Sequence, residues 1–188
     1  MNKISLGPKP YTTTMPAVLV GANVGGKPNY MVVAWTGVAC MDPPMIAIAI
    51  NKLRHTEKGI LENKTFSVNI PAAKNSLELD YCGMVSGSKI DKSTVFEAFY
   101  GKLKTAPLIS EFPINIECEL RHTLELGSHT LFIGEVVQVH MDERVTDARG
   151  RVTLNKAKPI VYCPVVHEYR ALGKKLGTYG FSEGKRED

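Results

Sequence analysis

Cysteine is scarce in this chain, and none of it is paired by spacing. The four cysteines, Cys40, Cys82, Cys118 and Cys163, include no C-x-x-C pair. The first residues also lack the apolar segment of a secretory signal, so no disulfide framework is expected. The sequence therefore favours a reduced, cytoplasmic location.

Long apolar runs and familiar catalytic motifs are also missing. No run approaches the roughly 20 apolar residues of a membrane-spanning helix, so no membrane association is expected. There is no G-x-S-x-G nucleophile elbow. No H-E-x-x-H or similar ligand spacing occurs among the five histidines, so neither hydrolysis nor a metal site is predicted.

Aromatic residues make up only 7% of the sequence and do not alternate with lysine and arginine. Nucleic-acid binding, one of the alternatives, would require such stacking positions and usually a pI above about 9. The net charge of +4 and pI near 8.8 suit an anionic ligand without identifying it. We therefore expect no nucleic-acid partner.

A mainly β pattern is present instead. At 188 residues the chain is most simply one domain, residues 1–188, with a variable tail from about residue 173. Gly127-Ser128 predicts a two-residue hairpin turn, and Thr56 and Ser76 are candidate helix caps. Too few helices are expected to connect parallel strands, so an antiparallel barrel of six or seven strands is favoured. Strands are expected at Met15–Ala22, Asn29–Ala39, Met45–Ile50, Phe66–Ile70, Ile114–Arg121, His129–His140 and Ile160–Cys163, and helices at Glu57–Asn63 and Ser76–Val85.

One glycine-rich segment imitates a nucleotide-binding loop. Gly21–Lys27 fits the G-x-x-x-x-G-K core of a P-loop, but Pro28 stands where a Mg²⁺-binding Ser or Thr is needed. A strand rather than a helix is expected to follow. The segment is interpreted as a hairpin turn.

The most informative stretch is Asn29–Thr56, in which two apolar runs lead into Arg54-His55-Thr56. Flat apolar strands can wall a planar ring, while an arginine, a hydroxyl and a helix start can bind a phosphate. A solvated loop with a helix cap explains Arg54–Thr56 equally well. Core packing for Trp35 and a surface position for His129 are likewise the simpler interpretations.

Taken in order, several weak motifs resemble the flavin reductase-like family of FMN-binding split barrels, in its flavoredoxin branch. The resemblance covers about Tyr11 to Gly184. It implies a six-stranded antiparallel Greek-key split barrel with a few short helices. The motifs are Met15–Val20, Asn29–Thr36, Asp42–Pro44, Arg54–Thr56, Phe66–Ile70, Ser86–Lys92, His129–Val136 and the region of Tyr162 and Tyr169.

The resemblance also implies a site for FMN. Tyr162, His167 and Tyr169 are further candidates for a wall of the flavin ring, whereas Phe181 cannot be assigned. His129 would come from the far hairpin, across a homodimer interface. The implied cofactor-binding residues are Asn29, Val32, Val33, Ala34, Trp35, Thr36, Arg54, His55, Thr56, Ser86, Lys92 and His129.

The function so implied is FMN-dependent oxidoreduction, with electrons passing from NADH or NADPH to a flavin, ferric or protein acceptor. Because the cofactor performs the redox chemistry, no catalytic side chain is required. The alternative is an FMN-binding electron carrier without NAD(P)H activity of its own. The sequence does not choose between NADH and NADPH, nor does it identify the acceptor or the redox potential.

Overall fold

The fold is known from a computed structural model, which describes residues 1–183. Over these residues it contains twelve β-strands, three α-helices and two short 3₁₀ helices at Ala73–Asn75 and Glu143–Val145. The strands are β1 Met15–Pro16, β2 Val18–Val24, β3 Lys27–Val33, β4 Thr36–Met41, β5 Pro44–Asn51, β6 Thr65–Ile70, β7 Ala98–Phe99, β8 Leu108–Ile109, β9 Ile114–Leu126, β10 His129–Met141, β11 Ile160–Cys163 and β12 Glu168–Ala171. The helices are α1 His55–Asn63, α2 Ser76–Met84 and α3 Leu154–Ala157.

The main sheet has seven antiparallel strands in the order β3-β2-β6-β9-β10-β5-β4. This corrects the expected six-stranded split barrel: there is one strand more. Within residues 1–183 the hydrogen-bonded order ends at β3 and β4, so the sheet does not close into a barrel. Two small sheets, β1-β11-β12 and β7-β8, complete the β structure. The broader expectation of a mainly β, antiparallel fold with few helices is confirmed.

The extra strand arises because the expected strand Asn29–Ala39 is divided. The chain turns at Ala34–Trp35, where the N–H of Thr36 donates to the carbonyl of Ala34 over 3.0 Å. An i to i+2 bond of this kind closes a γ-turn, which suits a strand end. As a result β3 pairs with β2, while β4 pairs with β5 at the other edge of the sheet.

Strands β2 and β3 are apolar on both faces because each face is covered. Val18 and Val20 of β2 belong to one core cluster with Phe66 and Phe132. Leu19, whose side chain points the opposite way, belongs to a second cluster on the other face. In contrast, residues 37–39 of β4 are exposed, so this apolar strand is not covered on both faces.

Both long helices differ from expectation at their first residues. Helix α1 begins at His55 and its N-cap is Arg54, so Thr56 lies inside the first turn and is not the cap. Helix α2 begins at Ser76 itself and ends at Met84, and its N-cap is Asn75, so Ser76 is not the cap. Neither N-terminus is capped by a side chain of residues 1–183. None of the helices in this range has the length and apolar character needed to cross a bilayer.

The two predicted turns are confirmed. Val24 pairs with Lys27, so the P-loop-like segment is a hairpin turn, and Gly25 and Gly26 adopt φ of 56° and 77°. Leu126 pairs with His129, which leaves Gly127-Ser128 as a two-residue loop, with φ 46° at the glycine. Glycine adopts such left-handed backbone angles without steric cost.

The alternating pattern at the start of β9 does not separate a buried face from a solvated one. Asn115 and Glu117, on the expected polar face, are buried, and Glu117 is fully so. The Glu117 carboxylate accepts hydrogen bonds from the backbone N–H groups of Lys102 and Leu103, and lies 2.6 Å from Nε2 of His140. The polar residues of this strand therefore anchor a covering loop instead of facing water.

Candidate functional site

A cavity of about 470 Å³ lies between the end of β3, the start of α1, the end of α2 and the β11–β12 hairpin. Pockets that hold small ligands usually have volumes of about 300–1,000 Å³. Seventeen residues line it: Met31, Val32, Ala34, Arg54, His55, Thr56, Asp80, Cys82, Gly83, Met84, Val85, Ser86, Gly87, Lys92, Tyr162, His167 and Tyr169.

Most of the candidate residues from the sequence converge on this cavity. Tyr162, His167 and Tyr169, which the sequence suggests for the ring wall, line it as well. Asn29 lies just behind it, where its Nδ2 donates to Oγ1 of Thr56 over 2.7 Å. The implied cofactor-binding residues along the wall are Val32, Ala34, Arg54, His55, Thr56, Ser86 and Lys92, whereas Val33, Trp35, Thr36 and His129 are not among the lining residues.

One end of the cavity is formed by the first turn of α1. With no side-chain cap from residues 1–183, the first N–H groups of this helix are open to a ligand. Thr56 is buried and Arg54 is exposed at the cavity. The imidazole Nδ1 of His55 is buried and has no hydrogen-bond partner within the described residues. An unpaired buried polar atom is costly, so this end is suited to a hydrogen-bonding ligand.

The charges at this end are predominantly positive. Burial, followed by the Lys58 and Lys92 charges, lowers the pKa of His55. Burial also lowers the pKa of Lys92, opposed by Cys82, and the Arg54 charge lowers it further. Such mutual repulsion favours an anion with more than one negative charge.

The side chain of Lys92 is directed at backbone carbonyls and not at the position of a bound anion. Its Nζ donates to the backbone carbonyls of Tyr30 and Cys82 over 2.9 and 2.7 Å. The buried ammonium therefore joins β3 to α2 and stabilises the cavity wall. Its charge still contributes to the positive potential at the α1 end.

Gly87 brings the loop after α2 close to this end of the cavity. A Cβ atom built at Gly87 would lie within 2.0 Å of Oδ1 of Asn29 and 3.1 Å of Cδ2 of His55. Only glycine permits this approach without displacing Asn29. The Asn29–Thr56 pair is thus held in place by both the helix and the loop.

The other end of the cavity is aromatic and carries an acid. The rings of Tyr162 and Tyr169 lie 5.3 Å apart at an angle of 47°, and Oη of Tyr162 lies 3.1 Å from Nδ1 of His167. Burial, then the Asp80 charge, raises the pKa of Tyr169 to about 12, so this phenol stays protonated. Burial likewise raises the pKa of Cys82 to about 11, which argues against a reactive thiolate here.

Trp35 and His129 lie together but outside this cavity. Their ring centroids are 4.2 Å apart at an interplanar angle of 32°. Trp35 is 43% exposed, so the simpler expectation that it packs in the core is wrong. Stacked aromatic rings on an exposed surface beside the strand end can contact a ligand or another protein chain.

Sequence reasoning missed the contribution of α2. Asp80, Gly83 and Met84 line the cavity, but the sequence predicted only a helix at Ser76–Val85, without a ligand-binding motif. The Ser86-Gly87 dipeptide was the available sequence signal that the chain turns after α2. Among residues 1–183, no group of three or more His, Cys, Asp or Glu side chains is placed to hold a metal ion.

Comparisons with known proteins agree with the geometry. The family model for the flavin reductase-like domain matches residues 11–172. The crystal structure of a flavoredoxin from Methanosarcina acetivorans is similar, with 37% identity, a TM-score of 0.92 and coverage of 99% of both chains. The flavoredoxin of Desulfovibrio vulgaris (Miyazaki F) is 36% identical, with a TM-score of 0.89 over 97% of this chain and 100% of that one.

A characterised enzyme is more distantly similar. The NADH-dependent FAD reductase of Streptomyces globisporus is 26% identical over 129 residues, which is 68% of this chain and 69% of the reductase. The matches extend over the strands and helices that build the cavity, from β1 to β12.

Proposed function

This chain belongs to the flavin reductase-like family, and from that premise we propose that it is an FMN-binding oxidoreductase that accepts electrons from NADH or NADPH. The observation that carries the proposal is that one cavity has a cationic helix start at one end and apolar and aromatic walls at the other. A flat ring joined to a phosphate has the same division into an apolar and an anionic part.

The residues present fit FMN. In our proposal the phosphate is bound by the guanidinium of Arg54, the N–H groups that begin α1 and the unpaired Nδ1 of His55. Thr56 and Ser86 add hydroxyls at the same end. The ring lies along β3 near Val32 and Ala34, where backbone groups can meet its polar edge.

FMN, when bound, supplies the two-electron redox chemistry. The side chains then have three tasks: to hold the phosphate, to align the ring, and to leave one ring face open to a nicotinamide. The cationic end also stabilises the phosphate through electrostatic attraction in a partly buried setting. No nucleophile or general base is required, in agreement with the protonated thiol of Cys82.

A homodimer is part of the proposal. Trp35, Thr36 and His129 are implied flavin contacts that lie outside the cavity of one chain. Trp35, Val38 and Met41 expose large apolar side chains at and near β4, which marks this edge as a surface for contact with another chain. We propose that a second subunit covers this edge and brings its own Trp35 or His129 towards the flavin.

A reduced, cytoplasmic location is also proposed. All four cysteines lie within the described residues and are free thiols, and three of them are buried. Buried unpaired thiols are common in proteins of reducing compartments. The nicotinamide donor is abundant in the same compartment.

Sedimentation velocity recorded at the flavin absorption wavelength tests cofactor and assembly together. We expect FMN absorbance to sediment with a species of twice the 20.7 kDa chain mass. Flavin absorbance at the mass of one chain would contradict the dimer alone. Protein that sediments without flavin after incubation with FMN would contradict the cofactor proposal itself.

The electron-carrier alternative remains a second candidate, because the flavoredoxins similar to this chain at 36–37% identity are named as redox proteins rather than as reductases. The two candidates share the FMN site and differ in whether a nicotinamide reduces the bound flavin.

A further inference from the structure

The turn between β11 and β12 holds a histidine in an unusual backbone conformation. Cys163 pairs with Glu168, so residues 164–167 form the loop, and His167 ends it with φ of 55°. Glycine or asparagine normally occupies such left-handed positions. Non-glycine residues in this region often occur at functional sites, where their side chain is required.

The side chain of His167 forms a pair with Tyr162. Nδ1 of the imidazole lies 3.1 Å from the phenol oxygen, and both side chains line the cavity. Tyr162 is half-buried, whereas His167 is exposed to solvent. The imidazole is therefore accessible to protons from the solvent, and the phenol that it contacts is the less exposed of the two side chains at the cavity.

The donor roles in this pair depend on the protonation of the imidazole. When Nδ1 is unprotonated it accepts the hydrogen bond of the phenol, and the Tyr162 hydroxyl is directed away from the cavity ligand. When the imidazole is protonated, Nδ1–H donates to the phenol oxygen instead. The Tyr162 O–H is then free to donate into the cavity.

We propose, on the basis of the FMN site proposed above, that Tyr162 and His167 form a redox-linked proton switch. Reduction of the bound flavin causes His167 to bind a proton, and Tyr162 then donates a hydrogen bond to the negatively charged ring. His167 is a positioning residue that acts through Tyr162. Neither residue is covalently linked to the cofactor.

The proton and electron balance is simple. A hydride leaves C4 of the nicotinamide, so the nicotinamide is oxidised and the flavin gains two electrons and one proton. The flavin thereby acquires one negative charge relative to its oxidised state. A second proton is taken up from hydronium or buffer acid in the solvent and forms an N–H bond on the His167 imidazole, and the resulting imidazolium compensates that charge across the hydrogen bond.

The charges around the pair favour such a response. Asp80, on α2, is the one carboxylate among the lining residues of the described chain and is the only negative side chain that faces the cavity with the pair. Tyr169, on β12, stays protonated because burial and Asp80 raise its pKa to about 12. Glu168 and Arg170 flank Tyr169 and form an ion pair with each other, so their charges largely cancel. The cations Arg54 and Lys92, together with His55, also line the cavity, at its phosphate end.

Spectroelectrochemical titration of the FMN-loaded protein at several pH values tests the switch. In the wild-type protein we expect a pH range in which the midpoint potential falls more steeply with pH, by one additional proton per electron pair. His167→Asn and Tyr162→Phe should both lose this additional slope. Asparagine suits the left-handed backbone of residue 167, so the turn should be retained. His122→Asn, an exposed histidine of β9 outside the cavity, should behave as wild type.

The outcomes separate this inference from the proposed function. If all four proteins bind FMN and show the same dependence of potential on pH, the switch is wrong and the FMN site stands. A variant that loses the additional slope only because it loses FMN is recognised by its flavin content, and the other variant then decides. If the wild-type protein binds no FMN, both proposals are wrong.

Discussion

Thr56 lines the cavity but is not the helix cap that the sequence suggested. The sequence suggested a helix cap, since threonine is favoured there. In the fold the helix begins at His55, two residues earlier than expected, and the Thr56 hydroxyl accepts a hydrogen bond from Asn29. A tertiary partner far away in the sequence decides the geometry, and no local pattern encodes that partner.

Arg54 is the residue on which the proposed phosphate site depends most. It is exposed at the cavity, beside the uncapped start of α1. We expect Arg54→Ala to weaken FMN binding about 10- to 150-fold, because a charge-assisted hydrogen bond contributes about 1.5–3 kcal/mol. The same substitution should weaken the binding of riboflavin much less, because riboflavin has the same ring without the phosphate. Equilibrium binding measured by flavin fluorescence gives both numbers.

Arg149→Ala provides the matched control for this measurement. Arg149 is an exposed arginine in a surface turn and does not line the cavity. The Arg149→Ala protein should bind FMN and riboflavin as the wild-type protein does. If Arg54→Ala lowers the affinity for FMN and for riboflavin by the same factor, the phosphate is not bound at Arg54.

Among the elements, β9 departs most clearly from its sequence pattern. Its polar residues suggested a solvated face, yet Glu117 is fully buried beneath residues 101–103. A Cβ at Gly101 would lie only 1.9 Å from the Glu117 carboxylate, so a glycine is needed for this approach. Alternation alone cannot reveal a loop that returns to cover a sheet face.

The Glu117 carboxylate should make a measurable contribution to stability. We expect Glu117→Gln to lower the free energy of unfolding by about 1.5–3 kcal/mol, because the amide cannot accept from the same three donors. Glu119→Gln on the same strand should cost less than about 1 kcal/mol, since its ion pair with Arg121 is on the surface. Urea denaturation measures both.

The pH dependence of this contribution has a definite sign. Burial raises the pKa of Glu117, but the hydrogen bonds from His140, Leu103 and Lys102 outweigh it and lower the pKa below its ordinary value of 4.5. A lowered carboxyl pKa stabilises the fold above pH 4.5, and this stabilisation is lost as the pH falls through the folded-state pKa. The difference between wild type and Glu117→Gln should therefore shrink below pH 4.5. A difference that grows there would contradict the assignment.

For the molecule as a whole, the sequence predicted the class of fold and much of the cavity. Local signals were sufficient for the Gly25-Gly26 and Gly127-Ser128 turns. They were not sufficient for the first residues of α1, which begins at His55 and not at Glu57. The division of the strand at Ala34–Trp35 was not predictable, because both halves are apolar and continuous in sequence. The contribution of α2 to the cavity wall was not predictable either, since Asp80 and Gly83 reach the cavity only because the helix packs against β3.

The cavity joins residues that are far apart in the sequence, from Met31 to Tyr169. In the proposed function its cationic end binds the phosphate of FMN and its apolar and aromatic end contacts the ring. This arrangement fits a protein that holds FMN firmly and exchanges its electron donor. Residues of α2 and of the β11–β12 hairpin also line this cavity.

An anaerobic titration of the FMN-loaded protein with NADH and with NADPH is the decisive measurement. We expect at least one of the two to bleach the flavin absorbance at a catalytic rate, with one nicotinamide oxidised per flavin reduced. Bound FMN that stays oxidised with both nucleotides, yet is bleached by dithionite, would contradict the oxidoreductase and support the electron carrier.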